Sequence, residues 1–179
     1  MAVKILGLHA SGPNTAACIV VNGNLLAFAE EERFTRVKLA SNTVPINATK
    51  FCLKQSKLTL SDIDIVSFGW DNKKYPIKMS KFYSKRMSHP KKDQFSFAYE
   101  EISLKEKTPQ IFEKKIMNSF RRAGFHETFP EIVYNEHHLC HAASVFYPSP
   151  YKKALIFVLD LQVKNLHRLF GWAHPVICN

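Results

Sequence analysis

Short apolar runs separated by turn residues set the pattern of the first third of this chain. Residues 3–8 and 16–21 each read as a buried strand, with Ser-Gly-Pro-Asn between them as a turn. Asn22-Gly23 then leads into a third apolar run at 25–29, and an Asn-Gly pair between two such runs signals a tight hairpin. Residues 45–57 place Ile46, Phe51 and Leu53 at helical intervals behind Pro45, a residue suited to a helix start. A fourth strand follows at 65–70. Helical patterning returns over 98–123, interrupted at Pro109. A short strand at 131–134 delivers the chain to a helix running through 142–146, which Pro148-Ser149-Pro150 stops. The last clean apolar strand, 154–159, ends at Asp160, and the final twenty residues carry no evident strand. Strands alternating with helices around one opening hairpin predict an α/β lobe with a mixed sheet and flanking helices.

Composition narrows the class. The 179 residues are 46% hydrophobic and 22% charged, which is a globular balance. No apolar run reaches the ~18 residues a membrane span requires, and the amino terminus lacks a signal-peptide pattern. Neither a membrane nor an export route is expected. Cys18, Cys52, Cys140 and Cys178 are scattered, so a reducing, cytoplasmic setting fits better than a disulfide framework. The net charge of +10 is concentrated: residues 73–92 hold eight basic side chains and no acidic ones, leaving 25 − 8 = 17 basic against 15 acidic elsewhere. That stretch reads as a basic insertion. A solvated surface segment explains it, and contact with an anionic partner is the sharper alternative. No base-stacking motif accompanies it, so nucleic acid is not an expected partner.

Two places speak of chemistry. Residues 30–38 (Glu-Glu-Glu-Arg-Phe-Thr-Arg-Val-Lys) are too densely charged for a core element. They read as an exposed helix start or loop with internal ion pairs, from which Arg36 or Lys38 could reach an anion. The second is Glu136-His137-His138-Leu139-Cys140-His141. On a helix, His137 and His141 share one face and could grip one metal ion from neighbouring turns. Spacing alone leaves open ordinary surface and core imidazoles. Cys140 reads as a small buried residue between them.

With those pieces assembled, the chain resembles the O-carbamoyltransferases of the nodulation-protein and antibiotic-biosynthesis type. The resemblance rests on Ala-Phe-Ala-Glu-Glu-Glu-Arg-Phe-Thr-Arg (27–36) with Lys38, Phe-Gly-Trp-Asp (68–71) and His-His-Leu-Cys-His-Ala-Ala-Ser (137–144), in the family's order across residues 3–160. It implies the amino-terminal lobe of an actin-like, sugar-kinase-like ATPase fold. It also implies a reaction in which carbamoyl phosphate and ATP yield carbamoyl-adenylate on a separate YrdC-like domain. The actin-like domain then moves the carbamoyl group to a hydroxyl of a small-molecule acceptor. His137, His141 and Asp160 match the family's ligands for a divalent metal, expected to be iron. Lys38 matches a lysine lining the transfer site. His138 points elsewhere on a helix and is a weaker candidate for taking a proton from the acceptor hydroxyl, and Glu136 could orient a histidine.

Two departures bear on these expectations. Many relatives carry His-Asp at the turn before the second strand, where this chain has Pro13-Asn14, so that histidine's role does not transfer. After Asp160 the family's Gly-rich turn is absent. Residues 1–160 therefore read as a carbamoyltransferase lobe and 161–179 as a non-family tail. A truncated or frameshifted enzyme, inactive without a second lobe and a YrdC-like domain, is the expectation. A binding module using 73–92 is the alternative.

Overall fold

The computed structural model describes the backbone of residues 2–10, 12–71, 108–162 and 170–178, with side chains described as far as Val158. The basic segment 73–92 and the helical pattern of 98–107 lie outside the described residues. The chain divides into two compact units, Met1–Tyr134 and Asn135–Asn179.

The first unit is built on a five-stranded sheet in the order β3-β2-β1-β4-β5. β1 (Lys4–His9) pairs antiparallel with β2 (Ala16–Val21), which pairs antiparallel with β3 (Asn24–Glu30). On its other side β1 runs parallel to β4 (Ile65–Phe68), and β4 parallel to β5 (Glu131–Tyr134). Only β2 is reversed, so the sheet is mixed, as expected. The β2–β3 hairpin turns at Asn22 (φ 49°) and Gly23 (φ 79°), two left-handed residues in succession. A two-residue hairpin loop of that kind needs both, and Asn-Gly supplies them at little cost.

Alternation decides which side of the sheet is covered. Leu6 and Leu8, Ala17 and Ile19, Ala27 and Ala29, and Val66 and Phe68 are buried at every second position. Two helices belong to the same core. α1 (Glu32–Thr35) is a single turn; α2 (Ile46–Ser56) contributes Ala48, Cys52 and Leu53. α3 (Pro109–Arg122) contributes Phe112, Ile116 and Phe120, one residue per turn at intervals of four. α2 packs over β2 and β3, whose inner positions are largely alanine. Close approach follows, and the Cys52 thiol donates to the Ala17 carbonyl at 3.4 Å. α3 sits at β4 and β5 through aromatic rings: Phe68 and Phe112 lie 4.4 Å apart, and the Tyr134 hydroxyl donates to Glu113 at 2.9 Å.

One local expectation is corrected. Phe51 is not a core residue of α2; it is 37% exposed and its ring stacks on Phe34 at 5.6 Å. The buried stripe runs through Ala48, Thr49, Cys52 and Leu53 instead. Pro109 begins a helix, because its fixed φ and missing N–H suit a first turn; the part of the 98–123 pattern before Thr108 lies outside the described residues.

The second unit pairs α4 (His137–Phe146) with a hairpin of β6 (Ala154–Gln162) and β7 (Phe170–Cys178). β7 corrects the expectation of a strandless end. Register runs from Ala154 opposite Cys178 to Gln162 opposite Phe170, so β6 continues through Asp160 instead of stopping there.

Gly7 lies opposite Cys18 in the β1–β2 pairing. A Cβ at position 7 would lie 2.5 Å from the Cys18 sulfur. Gly7→Ala is therefore expected to destabilise the chain by about 1–3 kcal/mol through overpacking, with most of the loss recovered in Gly7→Ala/Cys18→Ala. Urea unfolding of the four variants measures the coupling; equal losses in both Cys18 backgrounds would contradict the contact. Burial also pushes the Cys52 thiol up from 9.0 to about 11, helped by the nearby Cys18 thiol. An unfolded chain releases that proton near pH 9 while the folded chain holds it, so stability falls as pH rises from 9 to 11. Cys52→Ala should flatten that slope in a pH series of unfolding midpoints.

Candidate functional site

The carboxyl ends of β1, β3, β4 and β5 share one sheet edge, since His9 is level with Ala16 and Glu30, and Leu8 with Phe68 and Tyr134. Ligands of open α/β sheets bind outside such an edge. The charged stretch of the first unit is entered from it. Residues 30–38 begin at the end of β3, and the histidine helix begins three residues after β5.

Glu31 organises the first stretch, and sequence reasoning missed it. In a run of charges it reads as solvated, yet it is 3% exposed. Its carboxylate accepts from Asn47 N at 3.2 Å, Asn47 Nδ2 at 2.7 Å and Ala48 N at 2.8 Å. Those amides open α2, whose N-cap residue, Pro45, has no side-chain acceptor of its own. The positive end of the helix suits a carboxylate there. Its backbone N–H also donates to the Thr15 carbonyl at 2.8 Å, tying this stretch to the β1–β2 turn. The signal that could have found it is the three-residue acidic run, one member of which lies next to a helix with no cap of its own.

Glu30 forms the anticipated ion pair, with Arg33 at 3.0 Å. Lys38, exposed, starts a single 3-10 turn, Lys38–Ala40. Around it the backbone is left-handed at Arg36 (φ 58°), Leu39 (φ 66°), Ala40 (φ 38°) and Asn42 (φ 60°), with no glycine to ease it. Each such residue costs roughly 1 kcal/mol, so surrounding bonds must hold the loop. The Leu39 carbonyl accepts from Asn14 N at 2.7 Å and Thr15 N at 3.4 Å. The Ala40 carbonyl accepts from the Thr15 and Thr43 hydroxyls at 3.0 and 2.6 Å, and Asn42 N donates to the Gly12 carbonyl at 3.1 Å. The loop bearing Lys38 and the turn after β1 are thus one hydrogen-bonded assembly. His9 braces that turn by donating from Nε2 to the Pro13 carbonyl at 2.9 Å.

In the second unit, α4 brings His137 and His141 together, with their Nε2 atoms 3.1 Å apart. Two imidazoles on one ion at about 2.0–2.1 Å hold their nitrogens about 2.8–3.4 Å apart for octahedral or tetrahedral angles. The pair fits a divalent metal. No group of three metal-binding side chains is present among the described residues. Asp160 lies in β6 opposite Trp172, with its side chain outside the described residues. Glu136 reaches His138 and the first turn of the helix. One oxygen lies 3.2 Å from His138 Nδ1 and the other accepts from Leu139 N at 2.9 Å, capping α4. Burial, then the Glu136 charge, pushes the Cys140 thiol up from its ordinary range, which leaves it a poor nucleophile.

The family profile described as "Carbamoyltransferase N-terminus" matches residues 4–173. The chain belongs to this carbamoyltransferase family. The match continues past Asp160 through β6 and into β7, so family likeness is not confined to residues 1–160. Among relatives, an uncharacterized protein of Synechocystis is 29% identical over 160 residues, covering 87% of this chain and 25% of its own length. The nodulation protein NolNO of Sinorhizobium fredii is 26% identical over 153 residues, covering 83% of this chain and 20% of that protein. The carbamoyltransferase lobe described here therefore spans a quarter or less of those relatives. Among solved structures, YeaZ from Pseudomonas aeruginosa aligns over 98% of this chain and 66% of its own, with a TM-score of 0.41 and 10% identity. No helix among the described residues is long and apolar enough to cross a membrane.

The raised Cys140 thiol stays protonated at neutral pH. Its alkylation by iodoacetamide at pH 7.5 should run at least several-fold slower than that of an unfolded control, followed by mass spectrometry. Reaction at the unfolded rate would show a thiol open to water.

Proposed function

We propose that this lobe takes part in carbamoyl transfer from carbamoyl-adenylate, made from carbamoyl phosphate and ATP, to a hydroxyl of a small-molecule acceptor in the cytoplasm. The single observation behind the reading is the 3.1 Å pairing of His137 and His141 in a chain of this family. These two residues, with Asp160, would hold a divalent metal, for which iron is our choice. When bound, it supplies a Lewis acid for the donor's oxygens. Adenylate synthesis is assigned to a YrdC-like domain, and the rest of the nucleotide site to a second actin-like lobe.

The chain's own residues supply the remaining roles. Lys38 places a fixed cation beside the adenylate phosphate, whose charge grows as the carbamoyl carbon–oxygen bond breaks. His138 accepts the acceptor's hydroxyl proton as that oxygen bonds to the carbamoyl carbon, and AMP departs. A carboxylate against Nδ1, as Glu136 provides, keeps the proton there and leaves Nε2 basic.

Metal content tests the reading first. Protein purified without oxygen should carry close to one equivalent of iron or zinc, lost in His137→Ala/His141→Ala, while circular dichroism stays unchanged. A folded wild-type chain that takes up no added iron or zinc would count against it. AMP, the leaving group, should bind the wild-type chain and bind Lys38→Ala about tenfold more weakly by calorimetry.

A further inference from the structure

Glu32 follows the buried Glu31 and makes a different bond. Its Oε2 accepts from Leu39 N at 2.7 Å, across seven residues of chain. Leu39 has φ 66° and ψ −18°, a conformation that a branched side chain rarely adopts. Its amide is the one next to Lys38. The bond is short and charge-assisted, and the Glu32 side chain keeps only 22% of its exposure. Arg33 approaches the other Glu32 oxygen at 3.7 Å, too far for a strong competing hydrogen bond.

The loop is consequently held from two sides. The β1–β2 turn takes the Leu39 and Ala40 carbonyls and the Asn42 amide. Glu32 alone among the described side chains takes the Leu39 amide, on the stretch where Lys38 projects. Without it, the left-handed Leu39 loses the bond that offsets its strain, and the Lys38 backbone is free to relax into ordinary geometry.

We propose that Glu32 is a positioning residue for Lys38: it fixes the strained 36–42 loop so that the ammonium is presented to an anionic phosphate ligand. The proposal rests on the anion-binding role given to Lys38 above. The geometry gives Glu32 a purpose that its charge does not suggest, since a carboxylate near an anion site would otherwise repel the ligand. Here both oxygens face donors of the same segment, the Leu39 amide and the Arg33 guanidinium, which offsets that repulsion locally.

A double-mutant cycle read by AMP calorimetry tests it, with hydrogen exchange of the loop alongside. Glu32→Ala should weaken AMP binding about tenfold and speed exchange of the Leu39 amide, while Glu32→Gln, whose side-chain carbonyl can still accept that amide, restores most of both. Glu32→Ala/Lys38→Ala should bind no more weakly than Lys38→Ala alone. A purely structural role predicts additive losses, or weakening that Glu32→Gln does not repair, and either result overturns the proposal. Unchanged Leu39 exchange in Glu32→Ala overturns it whatever the binding data show. If AMP binding is absent or indifferent to Lys38, the anion-site reading itself falls and takes this inference with it; intact wild-type binding with a silent Glu32→Ala removes only the inference.

Discussion

A buried carboxylate is the constraint on which the first unit depends. Glu31 cannot leave its place without stranding a negative charge and three donors at the start of α2. Its backbone amide, meanwhile, is committed to Thr15. One residue therefore joins the end of β3, the turn after β1 and the start of the helix that covers β2 and β3. Neutral or apolar substitutes would satisfy at most part of this set. The charge is tolerated because helix-end amides stabilise it where water cannot.

That joint makes the neighbouring strain possible. A loop with four left-handed, non-glycine residues would not persist on a mobile support. Here the loop leans on a turn already pinned by Glu31 and closed by the His9 ring. The ring packs against Gly12, where a Cβ would come within 3.4 Å of Nε2. Residue 12 belongs to the same support through its backbone, whose carbonyl accepts from Asn42 N at 3.1 Å.

Legibility followed locality. The Asn22-Gly23 hairpin was readable because its two dihedral angles are set by those two residues alone. The α3 stripe was readable because Phe112, Ile116 and Phe120 repeat at the helical period. The metal-spaced histidines were visible from spacing, and the helix does bring them together. Glu31 was hidden because its partners, Asn47 and Ala48, lie sixteen and seventeen residues away and are backbone or amide groups without a pattern. The left-handed loop was hidden for a related reason: no glycine announces it, and what holds it includes residues 12–15 and Glu32, none of them in a recognisable pattern. β7 escaped notice because Pro175 interrupts its apolar run, whereas pairing with β6 determines whether it forms a strand.

The two chemical groups differ in how they are prepared. His137 and His141 need only a helix, since a four-residue spacing is intrinsic to it, and Glu136 secures the first turn by accepting Leu139 N. Lys38 needs a folded sheet, because nothing in its own sequence produces the loop that carries it. Partial loss of structure in Met1–Tyr134 would therefore weaken the cationic site before it weakened the histidine pair. A substitution distant in sequence from Lys38, at Thr15 for example, acts on the loop that carries it, because the Thr15 hydroxyl and amide bond that loop directly. The loop that carries Lys38 thus hinges on bonds made by residues outside it, the hydroxyls of Thr15 and Thr43 and the carboxylate of Glu32.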